Sequence, residues 1–138
     1  MSTVALVTEA LRGRIAAAVA PAAVVVRRPH DFDPAAAAVC LFLDRVSNAR
    51  MPRSEPGLSV ILHYAILFGG DTEQCEPERL FECVAVSLHD NPTLILDSQT
   101  LGIVSTNLTR SETATLSGGR GLLACAWDIV GVVLTATP

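Results

Sequence analysis

The chain contains no lysine, so all ten of its basic residues are arginine. That absence removes Schiff-base chemistry, a Walker-type phosphate lysine and a lysine general base. Aromatic residues make up 4% of the chain and charged residues 17%, with a net charge of −4, which argues against the basic field that a nucleic-acid binder needs. Long hydrophobic runs are missing too. The longest stretch without Asp, Glu or Arg covers residues 56–70, and its 15 residues fall short of the ~20 of a membrane-spanning helix. Glu9, Arg12 and Arg14 interrupt the early apolar residues and no basic segment precedes them, so no signal peptide is expected. The four cysteines, at 40, 75, 83 and 125, form no CxxC pair. Without an export signal they read as reduced thiols of a cytoplasmic protein.

What is present is apolar bulk. Half of the 138 residues are hydrophobic, which excludes disorder, and a chain of this length buries roughly two-thirds of its unfolded surface as one domain over 1–138. The charge is uneven: residues 1–60 carry seven Arg against five acids, and 61–138 carry three Arg against nine. An electrically two-sided molecule favours a protein partner over DNA.

Ser2 and Thr3 are cap candidates for a helix whose apolar positions Val4, Val7, Leu11, Ile15 and Val19 recur at helical spacing until Pro21. Residues 22–28 read as a strand, 30–34 as a polar turn and 38–46 as a second strand. The segment 47–57 holds two prolines, two arginines and a glycine without apolar period, and is expected to be an exposed loop. Residues 58–68 alternate with apolar side chains on both faces, the pattern of a central strand. An acidic stretch leads into a helix over 77–89 with Leu80, Val84 and Leu88 as its buried stripe. Residues 93–96 are short and apolar, 102–108 read as a strand, 109–116 as a short helix and 117–121 as a flexible connector. A last strand over 122–134 has Leu123, Cys125, Trp127, Ile129 and Gly131 on one face. The fold class expected is α+β, a mainly antiparallel sheet of four to five strands with both helices packed on it.

The histidines and cysteines supply no metal spacing: Cys83 and His89 fall on opposite faces of their helix and Cys75 precedes it. Cys40, Cys83 and Cys125 read as small buried hydrophobes. No GxSxG elbow or comparable nucleophile–base signature is present, so no catalytic centre, cofactor or metal is expected, and His63 and His89 are read as structural.

Several segments, in order, resemble the cap or tail-terminator family of extracellular contractile injection systems, phage-tail-like devices of the antifeeding-prophage type. They are VTEALRGRI, VCLFLDRVSNARMPR, LSVILHYAILFGGD, ERLFECVAVSLHDNPTL and LLACAWDIVGVVL. The most specific pieces are Leu62-His63-Tyr64 and Leu88-His89-Asp90-Asn91-Pro92. Where the resemblance implies a Leu-Trp pair on a short C-terminal helix, this chain carries Thr115-Leu116, and its single Trp, Trp127, lies in the last strand. The resemblance implies a structural subunit that forms a ring, a homo-hexamer, on the distal end of the inner tube and sheath and ends their growth. It implies no substrate and no membrane span.

Charge then nominates the contacts. Arg45, Arg50, Met51 and Arg53 are expected to dock on tube, sheath or a neighbouring subunit, and Glu73, Glu76 and Glu78 to receive the basic side of the next subunit. The alternative reading is a small α+β protein-binding adaptor without catalytic activity.

Overall fold

The computed structural model describes residues 2–33, 38–49, 57–71, 73–96, 99–107, 114–116 and 120–135. Helix α1 spans Thr3–Val19, and the Ser2 hydroxyl accepts the Ala5 N–H at 3.1 Å, satisfying one of the unpaired donors of the first turn. Its buried residues, Val7, Leu11, Ile15 and Val19, follow one another at intervals of four. Helix α2 spans Glu76–Asp90, with Pro77 in its first turn and Pro77, Leu80, Val84 and Leu88 buried. Cys75 enters it at φ 50°, the left-handed region.

The strands are β1 (Val24–Val26), β2 (Val39–Asn48), β3 (Leu58–Asp71), β4 (Thr93–Leu96), β5 (Gln99–Asn107), β6 (Ala114–Leu116) and β7 (Arg120–Leu134). They form one sheet in the order β1-β2-β3-β7-β5-β4, with β6 also paired to β7. The class is α+β, as expected, but the sheet is larger and mixed. Seven described strands replace the expected four to five, and β1 runs parallel to β2. The strand expected over 22–28 is present as β1, and the additional strands β4 and β6, four and three residues long, are too short to carry a periodic signal. Between β1 and β2 the chain makes a 3₁₀ turn at Pro29–Asp31, and their parallel direction is set by pairing in the sheet rather than by a local signal. Residues 114–116, expected in a helix, pair with Leu122, Gly121 and Arg120 as β6. The rest of that expected helix and residues 117–119 of the expected connector lie outside the described residues.

Strand β3 is central, hydrogen-bonded to β2 on one side and to β7 on the other. Both helices lie on one face: α2 rests on β3, β5 and β7, and α1 on α2, β1 and β4. Between helices and sheet lies a single core that includes Leu41, Leu62, Tyr64, Ile66, Phe68, Trp127 and Ile129, and Phe68 meets Phe81 of α2 edge to face, their centroids 6.0 Å apart. Burying an aromatic pair in that geometry adds about 0.5–1.5 kcal/mol beyond its area. Cys40 and Cys125 are buried as expected, whereas Cys83 is exposed. It sits on the solvent side of α2, one position before the buried Val84.

Among the described residues the register shifts at three places, once between Ser105 and Asn107 of β5, and the other two shifts decide which side chains of β2 and β7 face away from the helices. In β2 the register with β3 shifts between Leu43 and Arg45, so Asp44 is an extra residue. In β7 the register shifts opposite Val60–Leu62, where Gly131 adopts φ 84°, a conformation open to glycine at little steric cost. The buried stripe of β7 therefore passes from Ile129 to Val132 rather than to Gly131, which is exposed.

Candidate functional site on the open sheet face

The side of the sheet opposite the helices is lined from β3 by Ile61, His63, Ala65 and Leu67, all partly buried. From β7, Ala124, Ala126 and Asp128 stand opposite Leu67, Ala65 and His63, and from β5, Val104 stands opposite Asp128. Polar groups meet at the middle of this face. His63 Nδ1 lies 2.7 Å from Asp128 Oδ1 on β7, and His63 Nε2 lies 2.6 Å from Ser47 Oγ on β2. The three side chains form a hydrogen-bonded line across three adjacent strands, β2, β3 and β7.

Each member is placed by backbone register. His63 and Asp128 are directly paired residues of antiparallel strands, so their Cβ atoms project to the same side at close range. Ser47 pairs with Ile61 and is thus diagonal to His63 on that face. Counting by twos from the buried Leu41 would send Ser47 toward the helices. The Asp44 bulge reverses the parity and brings it to the outer face.

The network assigns its own protons. An ionised carboxylate only accepts, so Nδ1–H of His63 donates to Asp128, and in the neutral imidazole Nε2 then accepts the Ser47 hydroxyl proton. The imidazole and the carboxylate are 17% and 13% exposed: sheltered enough to strengthen their attraction, open enough to be reached. The line matches the connectivity of a nucleophile, a base and an orienting acid. The sequence carries no nucleophile–base signature, and the structure nonetheless sets Ser47 and His63 within hydrogen-bond distance. The missing signal is understandable, because residues 47, 63 and 128 share no local motif and meet only through strand pairing. Outward-facing polar positions in otherwise apolar strands were the available hint at His63 and Asp128.

The residues nominated by charge are placed as follows. Arg45 is exposed on β2 and directly paired with His63, which puts it beside the polar line. Arg50, Met51 and Arg53 lie outside the described residues. Glu73 is exposed, and its backbone N–H donates to Asp71 Oδ1. Glu76 turns inward to the chain, its Oε2 accepting the Asp71 N–H at 3.1 Å, and Glu78 is partly buried with one carboxylate oxygen fully covered. The acidic stretch is therefore partly engaged in holding the end of β3 to the start of α2. His89 is exposed at the end of α2, 3.5 Å from Asp90, away from the polar line. No group of three His, Cys, Asp or Glu among the described residues is arranged to hold a metal, and no described helix is long and apolar enough to cross a membrane.

No protein-family model matches the chain, and no curated protein matches it.

Proposed function

We propose that the chain is a structural cap subunit, forming a ring on the distal end of the inner tube and sheath of a contractile injection system and ending their growth, as part of a phage-tail-like particle assembled in the cytoplasm. The sequence segments that resemble the tail-terminator family motivate the reading. The structural observation that supports it best is the one-sided cover of the sheet. Long strands present apolar residues on a face that neither helix protects, and Ile95 of the edge strand β4 and Val104 of β5 are 72% and 46% exposed. An apolar sheet face with such exposed residues can serve as a contact surface, although Leu6, Val26, Val46, Leu58 and Val86 are exposed elsewhere. Contacts of one patch with a different patch on the next copy close into a ring when the rotation per subunit divides a full turn. The unequal charge of the two halves gives such a head-to-tail contact its orientation, with rim ion pairs contributing only about 0.2–1 kcal/mol each.

Size-exclusion chromatography with light scattering tests the reading. The wild-type chain is expected as a stable hexamer, or as a species that assembles when tube ends are added. Ile95→Glu together with Val104→Glu is expected to give a folded monomer. A chain that stays monomeric at every concentration and does not bind tube ends overturns the cap reading and leaves the adaptor.

A further inference from the structure

We propose that Ser47 is an activated nucleophile, with His63 as its general base and Asp128 as the positioning acid, and that this site takes acyl esters with a short apolar acyl chain. The proposal stands apart from the cap reading and rests on the geometry of the three side chains alone.

A serine hydroxyl is a weak nucleophile unless a base removes its proton as it attacks. Here Ser47 Oγ is 2.6 Å from His63 Nε2, within the range for such transfer. Asp128 Oδ1, 2.7 Å from Nδ1, selects the tautomer in which Nε2 is free to accept and stabilises the imidazolium that forms. The roles cannot be exchanged between Ser47 and Asp128, because a carboxylate has no proton to give and a hydroxyl carries no charge to steady the ring. Two partly buried hydrogen bonds in series would also hold three strands together. A merely structural clasp would make the same two hydrogen bonds, so the reactivity of Ser47 is what separates it from a nucleophile.

The surroundings select the substrate. Ile61 pairs with Ser47 itself on the same face, so a short acyl chain on Ser47 has an apolar neighbour there. Arg45, directly paired with His63 and exposed, is placed for its guanidinium to meet negative charge that develops on the carbonyl oxygen. In the reaction Ser47 Oγ bonds to the ester carbonyl carbon while its proton passes to His63 Nε2. The bond from that carbon to the alcohol oxygen breaks, and the proton leaves with the alcohol. Water then gives a proton to His63 and adds to the Ser47 ester, and the carboxylic acid is released as Ser47 recovers its proton.

The full-length protein is treated with an alkyl fluorophosphonate, and the modified residue is located by mass spectrometry of its peptides. One modification is expected, at Ser47, absent from Ser47→Ala and slowed at least 100-fold in His63→Gln and in Asp128→Asn, with circular dichroism confirming that each variant folds. The same wild-type preparation is expected to release p-nitrophenolate from p-nitrophenyl butyrate in a burst of about one equivalent. If His63→Gln does not fold, Ser47→Cys carries the test: its new thiol is expected to react with iodoacetamide at least tenfold faster than the exposed Cys75 and Cys83. Labelling of Ser47 no faster than in urea-unfolded protein, labelling undiminished by His63→Gln in a folded variant, or a new thiol in Ser47→Cys that reacts no faster than Cys75 overturns the proposal.

Discussion

Gly70 and Glu76 share a space that admits only one of their side chains. A β-carbon on Gly70 would fall 2.8 Å from the Glu76 Cβ, and the Glu76 carboxylate continues past it to accept the Asp71 N–H. The end of β3 can approach the start of α2 this closely because position 70 has no side chain. Gly70→Ala is expected to cost about 1–3 kcal/mol, since the opposing atom belongs to the helix rather than to the tip of a mobile chain. Glu76→Ala keeps that Cβ and loses only the carboxylate contact, so it is expected to cost less. Urea denaturation of the two variants side by side checks the order.

A single arginine joins three elements. Arg14 of α1 donates to the carbonyl oxygens of Ser87 and Asn91 at the C-terminal end of α2, at 3.2 and 3.0 Å, and to that of Thr93 in β4 at 2.9 Å. The Ser87 carbonyl also accepts the Asn91 N–H at 3.2 Å, and the C-terminal carbonyls carry the negative end of the helix dipole, so a cation there is favourable. Arg14→Ala is expected to destabilise by about 2 kcal/mol, and Arg14→Lys by less than that but measurably, because an ammonium cannot span three acceptors as a planar fork does. The readout is a lower urea midpoint with unchanged m-value.

Tyr64 brings a hydroxyl into the core, where it is 1% exposed, and Thr8 receives it at 2.7 Å. The Thr8 hydroxyl donates in turn to the Val4 carbonyl, so the phenol is the donor in the pair. Thr8→Val is expected to cost about 1–3 kcal/mol by leaving a buried donor unmatched. Adding Tyr64→Phe to that variant is expected to recover part of the loss. A double-mutant cycle by thermal unfolding in which the two effects simply add would refute the coupling.

Alkaline pH is expected to weaken the fold through buried acids that resist ionisation. Burial pushes the Cys125 thiol up from 9.0 to about 12, with the neighbouring Trp127 indole acting weakly in the opposite sense, although that N–H makes no hydrogen bond among the described residues. Burial likewise raises the Tyr64 phenol, against a smaller opposing effect of Thr8. A raised pKa in the folded state means that the unfolded chain releases its proton first. The contribution is whole below pH 9 and is lost as pH rises toward 12. Denaturation midpoints are expected to fall across that window and to fall less steeply in Cys125→Ala, after allowing for the small void that variant leaves.

Much of the architecture follows from side-chain spacing. The apolar interval of four and the Ser2 cap define α1, Pro77 and the acids before it open α2, and the two-faced alternation of 58–68 marks β3 as central. These are local signals, carried by neighbours in the chain, and they survive folding because the core rewards the same periodicity. The candidate site is another matter. Its serine lies in a segment read as the start of a loop, its histidine looks like a structural residue in an apolar strand, and its aspartate is 65 residues away from that histidine.

The sequence by itself determined an α+β class with two amphipathic helices, a doubly apolar central strand and no lysine chemistry, because each of these is a property of composition or of residues a few positions apart. Only the tertiary structure decided that β1 lies parallel to β2, that β7 sits beside β3, and that one extra residue at Asp44 turns Ser47 toward His63. Strand order and bulges are settled by which backbones exchange hydrogen bonds across the sheet. That choice depends on how the whole core closes, and a shift of one residue is enough to move a side chain from one face of the sheet to the other.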